Sequence, residues 1–246
     1  MAEPARSKVT LRRTLVTWWS DNLLRAGFWR TLRSFFGGIW DFLRESTPEQ
    51  RRRRYGDVEY DWDHRVDTTS ATVSWRDRLH GVFHSAYQPT APAAFHEMLQ
   101  SVRIDFRAFT FIDLGSGKGR TLMMASHYPF RKIIGVELLP ELHRVACENL
   151  EKYRSPNQNC GVLESVCTDA RDFQFPDDPL VLYLFNPLPE AGLSLVMRNL
   201  EQSLTRHPRK VIVLYHNPLL EHLVGSSKLR KIYGSLEYSV FESRYE

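Results

Sequence analysis

Residues 109 to 120 read FTFIDLGSGKGR. An apolar run, Phe109 to Ile112, ends in the acid Asp113, and three glycines then stand at alternate positions, Gly115, Gly117 and Gly119. Glycine has no Cβ, so the chain can turn tightly there and its N–H groups can approach a ligand closely. In α/β proteins such a loop links the carboxyl end of a strand to a helix, which is where nucleotide-like molecules bind. The stretch therefore predicts a strand, a ligand loop with Ser116 among its glycines, and a helix.

The sequence on either side carries the same rhythm. Short apolar runs recur at 132–138 (KIIGVEL), 163–170 (LESVCTDA), 180–186 (LVLYLFN) and 210–217 (KVIVLYHN), each rich in β-branched or aromatic residues. Strands that are apolar throughout suit a parallel sheet covered on both faces. Helical patterns fall at 91–102, with Thr90 as the expected N-cap, and at 119–127, 140–154 and 190–205. Strands alternating with helices imply right-handed crossovers and a Rossmann-like, doubly wound, mostly parallel sheet. The tail, KLRKIYGSLEYSVFESR, alternates around Gly234 and predicts a closing antiparallel hairpin.

The amino-terminal part differs in texture. Residues 1–54 hold 12 Lys and Arg against 5 Asp and Glu, a balance of +7, whereas residues 55–246 carry −3. From Leu11 to Arg44, Leu, Trp and Phe recur every three or four residues between arginines, an amphipathic helical extension. Gly37 and Gly38 leave two helices or one bent helix open. Such an arm can pack on its own domain, on a second subunit, or on a membrane interface, where aromatic rings sit at headgroup depth beside arginines. Ser46 to Arg54 reads as a polar linker, and residues 55–90, rich in Tyr, Trp, Asp and His without periodicity, as an irregular cap segment. The enzyme-like domain is expected over 91–246.

Composition narrows the classes. With 42% hydrophobic and 25% charged residues, the 246-residue chain is an ordinary folded one, long enough for a single α/β domain and an extension. Cys147, Cys160 and Cys167 make neither a CxxC pair nor an even set, so no disulfide framework or zinc site is expected. Nine histidines form no HExxH, and no metal is expected. The first residues lack a signal peptide's apolar stretch, and no 18-residue run is apolar enough to span a bilayer. The expected location is cytoplasmic, with peripheral membrane contact through residues 11–44. The −3 balance of residues 55–246 argues against a broad nucleic-acid surface.

The ligand class follows from spacing. Glu137 ends the second strand 22 residues after Gly115, the offset at which an acid accepts hydrogen bonds from ribose hydroxyls. Dinucleotides and S-adenosylmethionine both satisfy this. The glycines, however, are spaced GxGxG rather than GxGxxG, and Asp113 stands two residues before the first. In these features residues 87–246 resemble the class I S-adenosylmethionine-dependent methyltransferases, and DLGSGKGR together with FNP resembles bacterial members of unassigned substrate.

The resemblance implies roles residue by residue. Asp113, Gly115, Ser116, Gly117 and Gly119 would wrap the methionine moiety of S-adenosyl-L-methionine, Glu137 would hold the ribose, and Asp169 with Ala170 would meet the adenine. Tyr87 and Thr90, in YQPT, would close over the cofactor or simply start the first helix. In amino-directed nucleic-acid methyltransferases the fourth strand ends in Asn or Asp, two prolines and an aromatic. Here only Asn186 and Pro187 match, and they would position the substrate or form a plain strand-end turn. His216 could serve as a base or be structural. The expectation is methyl transfer to an unidentified acceptor, such as a protein or small-molecule amine. The competing readings are a nicotinamide- or flavin-dependent oxidoreductase and a non-catalytic binding module.

Overall fold

The computed structural model describes residues 16, 19–20, 23–24, 27–45, 58–69 and 89–244. Most of them fall in the following helices and strands. Helices α1 (Phe28–Glu45) and α2 (Val58–His64) precede α3 (Pro92–Gln100) and strand β1 (Thr110–Leu114). Then follow α4 (Arg120–Ala125), β2 (Lys132–Glu137), α5 (Pro140–Lys152), β3 (Leu163–Cys167), β4 (Leu180–Leu184), α6 (Glu190–Arg206) and β5 (Val211–His216). Strands β6 (Leu229–Gly234) and β7 (Tyr238–Ser243) close the chain.

The seven strands form one sheet in the order β3-β2-β1-β4-β5-β7-β6. The first five are parallel, β7 runs antiparallel to β5, and β6 antiparallel to β7. The order reverses between β1 and β4, so the loops leaving β1 and β4 diverge and open a crevice at the carboxyl edge of the sheet.

Side chains alternate across the sheet and build two cores. Ile112, Leu114, Ile134, Val136, Leu182, Leu184, Val213 and Tyr215 pack with Val196 and Leu200 of α6 on one face. On the other, Phe111, Ile133, Val181, Tyr183, Ile212 and Leu214 meet Phe95, Met98 and Leu99 of α3 and Leu122 of α4. Strands buried on both faces are what continuous apolar runs require. At about 25 cal/mol per Å² of apolar surface, this burial is the main term holding the sheet in place.

Three local expectations are corrected or narrowed. Helix α3 is capped by Ala91 rather than Thr90, without a side-chain cap. Pro92 has no N–H to satisfy and its ring presets the helical φ, which frees the Thr90 hydroxyl to turn inward. Gly37 and Gly38 do not divide two helices, since α1 runs through both, which leaves the single-helix alternative. The cap segment is not wholly irregular, because residues 58–64 form α2. Tyr87 lies outside the described residues. Among these residues no helix is long and apolar enough to cross a membrane, and no group of three or more His, Cys, Asp or Glu could hold a metal ion.

Candidate functional site

The loop after β1 is shaped by its glycines. Gly115, Gly117 and Gly119 have φ of 84°, 55° and 84°, left-handed values that side chains with a Cβ disfavour. Gly119 is the N-cap of α4. The main-chain N–H groups of Gly115 and Ser116 both donate to Val136 O, at 2.8 and 3.1 Å, which ties the loop to the end of β2. Gly135 makes room for this approach: a Cβ there would lie 2.6 Å from Ser116 Oγ.

Glu137 closes the loop from in front. Its Oε2 accepts from Gly117 N at 2.8 Å and its Oε1 from Leu139 N at 2.8 Å, so one buried carboxylate fixes both the glycine turn and the approach to α5. Asp113, fully enclosed at the end of β1, accepts from Thr121 Oγ1. Burial pushes its carboxyl up to about 7; the Thr121 bond opposes this and the charge of Glu137 adds to it.

At the end of β3, Asp169 is engaged by its neighbour. Arg171 donates to it from its main-chain N at 2.9 Å, from Nε at 3.0 Å and from one terminal nitrogen at 2.6 Å. Ala170 is buried in the first core. Thr168 N donates to Glu137 O at 3.0 Å, which draws the ends of β2 and β3 together.

The second wall of the crevice comes from β4 and β5. A Cβ added at Gly115 would stand 2.8 Å from Pro187 Cβ, so the glycine loop and the Asn186-Pro187 turn lie against each other. Asn186 itself has φ of 44°. Its Oδ1 accepts from Tyr215 OH at 2.8 Å and its Nδ2 donates to Asn217 O at 2.7 Å. Asn217 is left-handed too, at φ 48°. Asparagine tolerates this region better than other residues with a Cβ, and such strain persists only when the surroundings impose it.

Behind this turn lies a chain of polar groups. Tyr183 OH sits 2.8 Å from Thr90 Oγ1 and 2.8 Å from His216 Nδ1. The His216 ring stacks on Phe185 at 4.2 Å, and burial holds its imidazole below the ordinary histidine range, hence neutral at pH 7. Thr90 thus spends its hydroxyl on Tyr183 rather than on capping the helix it precedes.

Sequence reasoning missed Lys118 and Arg120, the two cations inside DLGSGKGR. Both are 2% exposed and both face residues 60–69. Lys118 Nζ donates to Asp67 Oδ1 at 2.8 Å and to Thr69 O at 2.9 Å. Arg120 Nε donates to Thr68 Oγ1 at 2.6 Å, one terminal nitrogen lies 3.3 Å from Asp61 Oδ1, and the guanidinium sits 4.8 Å over the Tyr60 ring. Asn149 of α5 completes the seam, accepting from Asp67 N at 2.9 Å and donating to Asp67 O and Lys118 O at 2.8 and 2.9 Å. The only sequence signal was two basic residues in a loop and the run DTT at 67–69, with nothing to pair them.

Neither a family model nor a curated sequence matches the chain. Similar solved structures include an RNA methyltransferase from Salinibacter ruber, crystallised with S-adenosyl-L-homocysteine, at 20% identity over 63% of this chain and 92% of that one, TM-score 0.42. A TehB-like S-adenosylmethionine-dependent methyltransferase from Corynebacterium glutamicum is 15% identical over 62% and 88%, TM-score 0.43. TrmN from Thermus thermophilus is 16% identical over 63% and 51%, TM-score 0.43.

Proposed function

We propose that this chain is an S-adenosylmethionine-dependent methyltransferase acting on an amine acceptor. The observation that supports it is the closure of a GxGxG loop, left-handed at all three glycines, by the carboxylate that ends β2. In this reading Gly115 to Gly119 surround the methionine part, Asp113 faces its ammonium group, Glu137 takes the ribose hydroxyls, and Asp169 beside Ala170 borders the adenine. The cofactor's sulfonium supplies an activated methyl group, so transfer is an in-line displacement that needs alignment and exclusion of water.

The protein's part at the acceptor falls to the Asn186-Pro187 turn, which touches the cofactor loop at Gly115. Tyr215 and Asn217 fix the Asn186 carboxamide, and its Oδ1 keeps one lone pair for an amine hydrogen. His216, neutral and stacked on Phe185, can take a proton at the same edge.

Isothermal titration with S-adenosylmethionine and S-adenosylhomocysteine tests the cofactor. Micromolar binding of either is expected. Absence of binding by the folded protein, or micromolar binding of NADH in its place, would replace this reading with the oxidoreductase one.

For the amino-terminal arm we propose contact of residues 11–44 with an anionic membrane surface. On α1, Phe28, Trp29 and Phe36 are 53%, 78% and 60% exposed, beside the exposed Arg30 and Arg33. Flotation with phosphatidylserine-containing vesicles should carry the full chain and lose it when Trp29 and Phe36 are changed to Ser; equal flotation of both would remove the arm from lipid binding.

A further inference from the structure

Three alternating glycines make a loop with little shape of its own, since glycine loses more conformational freedom on ordering than any other residue. A loop that must keep one ligand-binding shape therefore needs restraint from its surroundings. Glu137 grips one side through Gly117 N. On the other side stands a second body, residues 58–69, built as a unit of its own. Asp61 organises it: its main-chain O accepts from Val66 N at 3.0 Å, and its Oδ2 accepts from Thr68 N at 2.7 Å and Thr69 N at 2.8 Å. The aromatic side of α2 is anchored separately, with Tyr60 stacked on His64 at 4.4 Å and His64 on Tyr153 at 5.4 Å.

The join between this unit and the loop is ionic, with both cations buried, Asp61 nearly so and Asp67 half exposed. Lys118 and Arg120 flank Gly119, and each spends its charge on residues 61–69 rather than on the crevice. Charges taken out of water are retained only with partners in good geometry, and removing one partner strands the other. Asn149 bonds the Asp67 main chain and the Lys118 carbonyl with one side chain, so it senses both bodies at once.

We propose that Asp61, Asp67, Lys118, Arg120 and Asn149 are positioning residues for the cofactor loop, and that docking of residues 58–69 sets the loop's competence to bind the methyl donor. The second half of this statement rests on the cofactor reading above; the first does not. Coupling between docking and binding is reciprocal by thermodynamic necessity, so the ligand must also tighten the segment. A purely structural seam would change stability and leave that reciprocity absent.

The test uses the full chain, with Asp67→Asn and the double change Asp67→Asn/Lys118→Met, which removes both charges and strands neither. Hydrogen exchange without ligand should show the Gly115 to Gly119 amides opening about tenfold faster in both variants, with β1 and β2 unchanged. Titration below the melting transition should show S-adenosylhomocysteine bound about tenfold more weakly, and the same ligand should slow exchange of residues 58–69 in the wild type. Unchanged loop exchange in folded variants would overturn the positioning role. Unchanged affinity, or no protection of residues 58–69 by bound S-adenosylhomocysteine, would overturn the coupling. Failure of the wild type to bind that ligand would overturn the cofactor reading instead, since loop exchange is read in the unliganded protein.

Discussion

The turns leaving β1 and β4 face each other across the crevice and solve the same backbone problem in opposite ways. The first places left-handed residues at three glycines. The second places one at Asn186, opposite another at Asn217. Glycine gives the shape without a side chain, and the N–H groups of Gly115 and Gly117 are held by Val136 O and Glu137 Oε2. Asparagine keeps an amide in a strained backbone, and Tyr215 and Asn217 then aim that amide. The contrast separates a β1 turn shaped by backbone alone from a β4 turn that carries an aimed side chain.

Gly115→Val should break the first half of the comparison most severely. The new Cβ would meet both the left-handed φ of 84° and Pro187 Cβ at 2.8 Å. Strain and overpacking together cost about 3 kcal/mol, on the order of a 100-fold loss of S-adenosylhomocysteine affinity by titration. An affinity within threefold of wild type would show that the loop's shape is not what binds.

Asn186→Gly separates backbone from side chain at the other turn. Glycine accepts φ of 44° freely, so the melting temperature should hold and S-adenosylhomocysteine affinity should stay within about threefold. Incorporation of labelled methyl into a cell extract should fall on the order of 100-fold, as expected when a group acting only in the transition state is removed. Retained incorporation would reduce Asn186 to a turn residue.

Asp113 gives a smaller effect, set by pH. Its carboxyl, ordinarily near 3.8, is pushed to about 7 by burial, so the folded protein holds this proton more tightly than the unfolded chain. Its contribution to stability therefore falls as pH rises across that window. An ammonium ligand needs the ionised form, so S-adenosylhomocysteine should bind about tenfold more weakly at pH 6 than at pH 8, and Asp113→Asn should flatten that profile. A wild-type profile already flat over this range would remove Asp113 from ligand contact.

The comparison also explains what the sequence could show. Continuously apolar strands and the helices between them are local signals, and DLGSG records its turn in residue types that have few other uses. Asn186-Pro187 was visible as a turn, but its left-handed φ and its grip by Tyr215 depend on a residue 29 positions away. Thr90 looked like a cap because its partner, Tyr183, lies 93 positions on. Lys118 and Arg120 read as decoration of a glycine loop, because the acids and threonines that claim them belong to a segment without periodicity. Whether Gly37 and Gly38 divide α1 stayed open in the sequence because glycines weaken a helix without ending it.

The seam around Lys118 also imposes a timetable. Its partners Asp67 and Asp61 precede Lys118 and Arg120 by 51 and 59 residues, and Asn149 follows Asp67 by 82. At 5–20 residues per second, a ribosome takes roughly 4 to 16 s to travel from Asp67 to Asn149. For the first 51 residues of that travel the nascent Asp67 has no lysine from the loop to meet, and the seam lacks Asn149 until its end. The seam is thus finished late in synthesis, and a chain arrested before Asn149 carries the acids and the cations without the amide that bonds both bodies.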